Sequence, residues 1–450
     1  MDKHRTNFQF SPLWDALRRI FNFLAVLLLC CSAVARASSP GNHGQDGRAA
    51  AAADEKMTAI KGGDLYTITS GIIKNGTILI KDGKISEIGQ NIEIPKDADV
   101  IDAKGKVVMP GMVAATTLLR GLRSSGDISK IADSLDPFDF EVSLALASGV
   151  TTAFVTAAPP RRRGGAADEN PIGGTNAVIK MTYGDLDNML IKEPVAENVS
   201  ISNQQWMRKT NFLLNLRKAK DYLQKLAEYQ KAKDKDKKLE EPKKPADLDP
   251  YIRLLRRELP ARVEADTVDD ILAALEMVDE FGIRIILDGG MEAWIVAQEI
   301  AKRDVSLVIT PRQKQEPRKD ISGPSGSTME NAAILKRAGV RFAIVPEGPY
   351  FGLGGIAGRD LMTLPMEAAF AVSGGLDEQT ALEAITLTAA EILGVADRVG
   401  SLQVGKDADI IILDGHPFHY KSFVELTLIN GKILYDEKQS TYFSHITHDN

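Results

Sequence analysis

Four carboxylates and three arginines stand where chemistry could be built. Glu264 and Asp266 lie two residues apart at the end of Pro260-Ala261-Arg262-Val263-Glu264-Ala265-Asp266, and that spacing puts both on one face of a strand. Asp288 closes the apolar run Ile285-Ile286-Leu287, and Glu347 follows Ile344-Val345-Pro346. Carboxylates gathered in this way suit a hard cation such as Ca²⁺ or Mg²⁺, or a shared proton in an acid/base pair. The plainer reading is that they cap helices or pair with arginines at a rim. Arg161, Arg162 and Arg163 precede Gly164-Gly165. Three guanidinium groups on such a loop either grip a carboxylate or phosphate by forked hydrogen bonds or form a solvated charge run. The glycine stretches Gly173-Gly174 and Gly352-Leu353-Gly354-Gly355 lack the Gly-Lys-Ser/Thr of a phosphate loop.

Histidine and cysteine narrow the chemistry. The six histidines are His4, His43, His416, His419, His445 and His448, so none lies between His43 and His416. The two cysteines are Cys30 and Cys31. A zinc site of the usual histidine or cysteine type is thereby excluded from the whole middle of the chain. His416 and His419 sit in Asp414-Gly415-His416-Pro417-Phe418-His419, which reads as a surface turn.

The elements that must position these groups follow from periodicity. Basic residues precede an apolar run from Ile20 to Ala35, and Ala35-Arg36-Ala37 offers a small-x-small cleavage site, so residues 1–37 read as an export signal. Arg18-Arg19 leaves ordinary and twin-arginine export both open. Cleavage removes both cysteines, and the mature chain then has no disulfide. Residues 38–56 form a linker. Residues 57–112 carry short strands, with Asn75-Gly76 and Asp82-Gly83 expected as two-residue hairpin turns. Matching strand and turn signals return at 398–440, before a tail at 441–450, so both chain ends are expected to build one β-sandwich. Between them, at 113–397, strands alternate with helices: Gly149–Val155, Pro260–Ala265, helix Ile271–Phe281, Gly282–Leu287, helix Ala293–Arg303, Val305–Ile309, helix Met329–Arg337 and Gly339–Val345. That alternation predicts βα units and a parallel sheet, most simply a (β/α)8 TIM-type barrel. A charged helical insertion at 208–250 interrupts it, with Phe212, Leu216, Ala219, Leu223 and Leu226 on one face. The 450 residues, 44% apolar and 26% charged, are ample for such a barrel with a satellite. A net charge of −6 argues against nucleic acid as a partner.

Several stretches resemble the imidazolonepropionase-like metal-dependent amidohydrolases. They are Val107-Val108-Met109-Pro110-Gly111, the helix stretch Ala384–Val395, the return Arg398–Ile410 and the closing Ile429-Asn430-Gly431-Lys432. The resemblance implies an amidohydrolase-type (β/α)8 barrel with a composite β-sandwich. It also implies one or two divalent metals, usually zinc, at the C-terminal ends of the barrel strands, and hydrolysis of carbon–nitrogen bonds in amides, cyclic amides or dipeptides. In that family the first strand ends in His-x-His, the fourth often carries a carboxylated lysine, the fifth and sixth carry histidines, and the eighth an aspartate. Here those positions hold Thr116 and Leu118, Asn198, Glu264, Gly289 and Glu347. Glu347 remains the candidate base, and Asp266, Asp288 and Arg161–Arg163 the candidate pocket.

The expectation is an exported member that needs no metal cofactor and is catalytically degenerate. It acts by binding a small-molecule ligand, or in a homo-oligomer or a hetero-oligomer with a catalytic homologue. The alternative is an active amidohydrolase with an atypical carboxylate site.

Overall fold

The structure, a computed structural model, describes residues 57–117, 130–157, 171–200, 206–233, 240–320, 322–346 and 364–440. The signal segment 1–37, the linker 38–56 and the tail 441–450 fall outside these residues. The strands are, in order, β1 (Thr58–Tyr66), β2 (Ile72–Lys81), β3 (Lys84–Gly89), β4 (Asp99–Asp102) and β5 (Val107–Pro110), then β6 (Met112–Ala114), β7 (Val150–Thr156), β8 (Asn176–Lys180) and β9 (Leu190–Lys192). There follow β10 (Glu197–Val199), β11 (Ala261–Ala265), β12 (Ile285–Gly289), β13 (Ser306–Ile309), β14 (Phe342–Ile344), β15 (Ile410–Leu413), β16 (Val424–Ile429) and β17 (Lys432–Asp436).

One eight-stranded sheet runs β17-β16-β15-β5-β1-β2-β3, with β4 added to β1. β5 is its meeting line: it runs parallel to β1 and antiparallel to β15, with Pro110 opposite Ile410 and Val107 opposite Leu413. The turns Asp82-Gly83 and Asn430-Gly431 have paired positive φ values (51° and 73°; 49° and 73°), the left-handed pair that a tight hairpin requires. Asn75-Gly76 is different from the expected turn. It lies inside β2, at a shift of register opposite Gly63. A Cβ on Gly76 would fall 2.4 Å from Leu65 Cδ1, so this glycine serves a bulge and a close strand crossing. The real turn is at Thr67–Gly71, closed by the Thr67 N–H to the Gly71 carbonyl at 3.1 Å.

The second sheet, β10-β11-β12-β13-β14, is parallel throughout and in sequence order. The helical crossover from β11 to β12, Val268–Phe281, starts at Thr267, whose hydroxyl accepts from the Asp270 N–H, and ends at left-handed Gly282. The expected helix Ala293–Arg303 is instead a short turn, Ala293–Ile295, and a helix Ala297–Ala301. The third sheet departs from the expected βα alternation. β7 is parallel to β6, but β8 runs antiparallel to β7, and β9 antiparallel to β8. This reversal brings Lys180, the last residue of β8, to the eight-stranded sheet. There its ammonium, wholly buried, donates to Asp407 at 2.8 Å, Asp409 at 2.9 Å and Asn430 at 2.6 Å.

Side-chain parity divides the parallel strands into two faces. Ala261, Val263, Ala265, Ile285, Leu287, Leu307 and Ile309 pack outward, in one core with Ile271, Ala274 and Leu275 of the crossover helix. Val113, Phe154, Val178, Ile286, Val308 and Ala343 form a separate interior core, plugged at one end by Ala389, Ala390, Ile392 and Leu393. This interior draws on both smaller sheets. Among the described residues no ladder joins β14 to β6, so the strands do not close into a hydrogen-bonded ring. The segment leading into β8 does bridge to β10, through Ile172 and Val199.

The long helix Trp206–Ala232 follows the amphipathic pattern only in its first half. Phe212, Leu216 and Ala219 are fully buried, whereas Leu223 and Leu226 are half-buried. The stretch Ala384–Val395 breaks at Ile385-Thr386 into helices Glu378–Ala384 and Leu387–Leu393. The break frees the Ile385 carbonyl to accept from the Val113 N–H at 2.9 Å, fixing β6.

Candidate functional site

The interior core ends in polar groups where the parallel strands finish. On β11 the inward residues are Arg262 and then Glu264; on β12 they are Ile286 and then Asp288. Glu264 is level with Asp288, and Arg262 is level with Ile286 on one side and Asn198 on the other. Arg262 was not singled out by the sequence, yet it organises the site. It is 5% exposed. Its Nε donates to Asp288 Oδ2 at 2.8 Å, with Nη2 also 2.8 Å from that oxygen in the ion pair; Nη1 donates to the Ala115 carbonyl at 2.9 Å, and Nη2 donates to Thr116 Oγ1. The guanidinium lies 4.1 Å from the centre of the Phe154 ring, the top of the interior core. The signal for it was strand parity: Arg262 shares a face with Glu264 in a strand whose other face is wholly apolar.

Glu264 is exposed at the mouth; partial burial, then the charges of Asp266 and Asp288, raise its carboxyl above its ordinary range. Asp266 is half-buried, and burial raises it too, against the lowering effect of the Met291 N–H. Gly289 is held at φ +113°, and a Cβ there would lie 2.4 Å from Asp266 Oδ1. Asp266 therefore fills the space that a side chain at 289 would need. Asn198 is turned elsewhere: its Nδ2 donates to Thr156 Oγ1 at 3.0 Å. The structure thus joins Thr116 and Asp288 to Arg262, sets Glu264 level with Asp288, and places Asp266 against Gly289. Leu118, Glu347 and Arg161, Arg162 and Arg163 lie outside the described residues. His416 and His419 occupy the turn after β15, where each Nδ1 accepts a backbone N–H two residues on.

Residues 263–434 match the model of the amidohydrolase family. A solved amidohydrolase from Thermotoga maritima is similar over 84% of this chain and 100% of its own, with 28% identity and a TM-score of 0.65. A 5'-deoxyadenosine deaminase from Methanosarcina acetivorans is 56% identical over 57 residues, and an imidazolonepropionase from Staphylococcus aureus is 45% identical over 60. These matches span only 13% and 14% of the two enzymes' own lengths. The chain is thus similar to the amidohydrolases in sequence over residues 263–434 and in fold, which is of the α/β TIM-barrel type.

Divalent metals such as zinc are typical of this family. The residues at the mouth do not fit one. A side chain at 289 would collide with Asp266. The Thr116 hydroxyl, the Ala115 carbonyl and one Asp288 oxygen are already engaged by a cation, Arg262.

Proposed function

We propose that this chain is an exported, catalytically degenerate amidohydrolase, a pseudoenzyme of the carbon–nitrogen hydrolases. It binds a small ligand at the strand ends, or pairs with another copy or with an active homologue of the same shape. Its frame is a (β/α)8 barrel over 113–397 and a β-sandwich drawn from 57–112 and 398–440, after removal of a signal at 1–37. One observation carries the reading: no histidine lies between His43 and His416, so no shift of alignment can restore the imidazole ligands. The arginine at the strand ends agrees with it.

The test is turnover and metal content together. The mature protein is assayed on a panel of amides, cyclic amides and dipeptides, alone and mixed with a catalytic homologue, and analysed for bound metal. The expected result is no turnover alone. Turnover that disappears in Glu264→Gln would overturn the proposal in favour of a second reading. That reading has one observation behind it: the raised carboxyls of Glu264 and Asp266 hold protons to higher pH than ordinary carboxylates, as a general acid must.

A further inference from the structure

We infer that Arg262 stands in the metal's place, as a fixed internal cation that ties β11 to the ends of β6 and β12 and keeps divalent ions out. This goes beyond the absence of ligands, and it rests on placing the family's first-strand ligand at Thr116. The guanidinium reaches that residue directly, together with the Ala115 carbonyl beside it and the Asp288 carboxylate next to Gly289. Those lie on the chain leaving β6 and near the end of β12, while Arg262 itself stands near the start of β11. In a metalloenzyme the ion pulls such elements together by accepting lone pairs. Here the same convergence is made by N–H donors, which have no lone pair to give a metal.

Three features make the replacement specific to arginine. The flat fork reaches three acceptors on two segments, residues 115–116 and β12, which a lysine ammonium on its flexible stem cannot match. The Phe154 ring lies under the guanidinium carbon, 4.1 Å away, as a cation–π partner. The side chain is 4% exposed, so its charge must be matched locally, and Asp288 matches it. A divalent ion approaching the same oxygen would meet an unscreened positive charge at close range.

Equilibrating the mature protein with Zn²⁺ or Mn²⁺, followed by gel filtration and elemental analysis, tests the exclusion. We expect no stoichiometric ion and no change in melting temperature on adding metal. One ion per chain that is lost in Asp288→Asn would overturn the inference. The tie is tested with Arg262→Met and Arg262→Lys, checked for folding by near-ultraviolet circular dichroism. Arg262→Met should melt several degrees lower, with Arg262→Lys between it and the wild type. Equal stability of Arg262→Met and wild type would also overturn the inference. If Arg262→Met does not fold, the lysine variant and the wild-type metal content still decide. Metal-free turnover by the wild type would sink the degenerate reading while leaving the role of Arg262 intact.

Discussion

Arg262 and Asp288 sit on adjacent parallel strands, two residues out of level, and two nitrogens of the arginine converge on one oxygen of the aspartate at 2.8 Å. The diagonal is possible because the arginine's stem spans the offset while its head clears the apolar layer below.

That pair should be coupled. Removing one partner of a buried ion pair costs roughly 3–5 kcal/mol because the other is left uncompensated. Asp288→Asn should fall at the low end of that range, since Asp288 is partly solvated. In a double-mutant cycle by urea denaturation, Arg262→Met with Asp288→Asn should cost clearly less than the two single changes added. Simple additivity would mean that the contact contributes nothing.

A second buried cation holds the two sheet systems together. Lys180 has no exposed surface and faces both Asp407 and Asp409. Lys180→Met leaves the buried Asp409 carboxylate without its cation, while Asp407 keeps Lys84 and Arg398, and should cost roughly 3–5 kcal/mol. Equilibrium unfolding measures this, and a loss within experimental error would refute the tie.

Stability should peak between two titrations. Burial tends to raise Asp407, but hydrogen bonds from Lys180 and Lys84 and the charges of Lys180 and Arg398 outweigh it and hold it at about 2. A depressed carboxylate contributes stability above its unfolded value, lost as pH falls toward the folded value. Glu264 and Asp266 are raised, so theirs is present in acid and lost as pH rises through their folded values. The Glu264→Gln/Asp266→Asn variant should lose less stability than wild type as pH climbs above about 4. Urea midpoints across pH report this, and parallel curves would contradict it.

The joint between β5 and β6 should not tolerate a methyl group. A Cβ on Gly111 would lie 2.1 Å from Thr151 Oγ1, and the Gly111 N–H donates to the Asp409 carbonyl at 2.9 Å. Gly111→Ala should destabilise by about 2 kcal/mol through overpacking. Combined with Thr151→Gly, it should cost less than the sum of the single changes, as measured by thermal unfolding.

Much of the frame was legible in the chain. Asp82-Gly83 and Asn430-Gly431 carry their own turn chemistry, and β11, β13 and the helix Val268–Phe281 follow from local periodicity. Asn75-Gly76 misled because the same dipeptide serves a bulge as well as a turn, and only the partner strand decides. The reversal of β8 was hidden because Val-Ile-Lys reads alike in either direction. At the mouth, the carboxylates Glu264, Asp266 and Asp288 stood out as charges in apolar runs. Arg262 did not, because its role depends on Thr116 and Asp288, which lie far away in sequence. Residue type showed that imidazole was missing; only geometry shows what stands in its stead.

The sheet shared by both ends of the fold can be completed only near the end of synthesis. Pro110 finds its partner only when Ile410 has been made, so one edge of β5 stays open while the whole middle of the chain emerges. An apolar strand with an open edge invites pairing with other chains. The growing polypeptide must therefore keep Val107–Met109 shielded by other means until its final strands arrive.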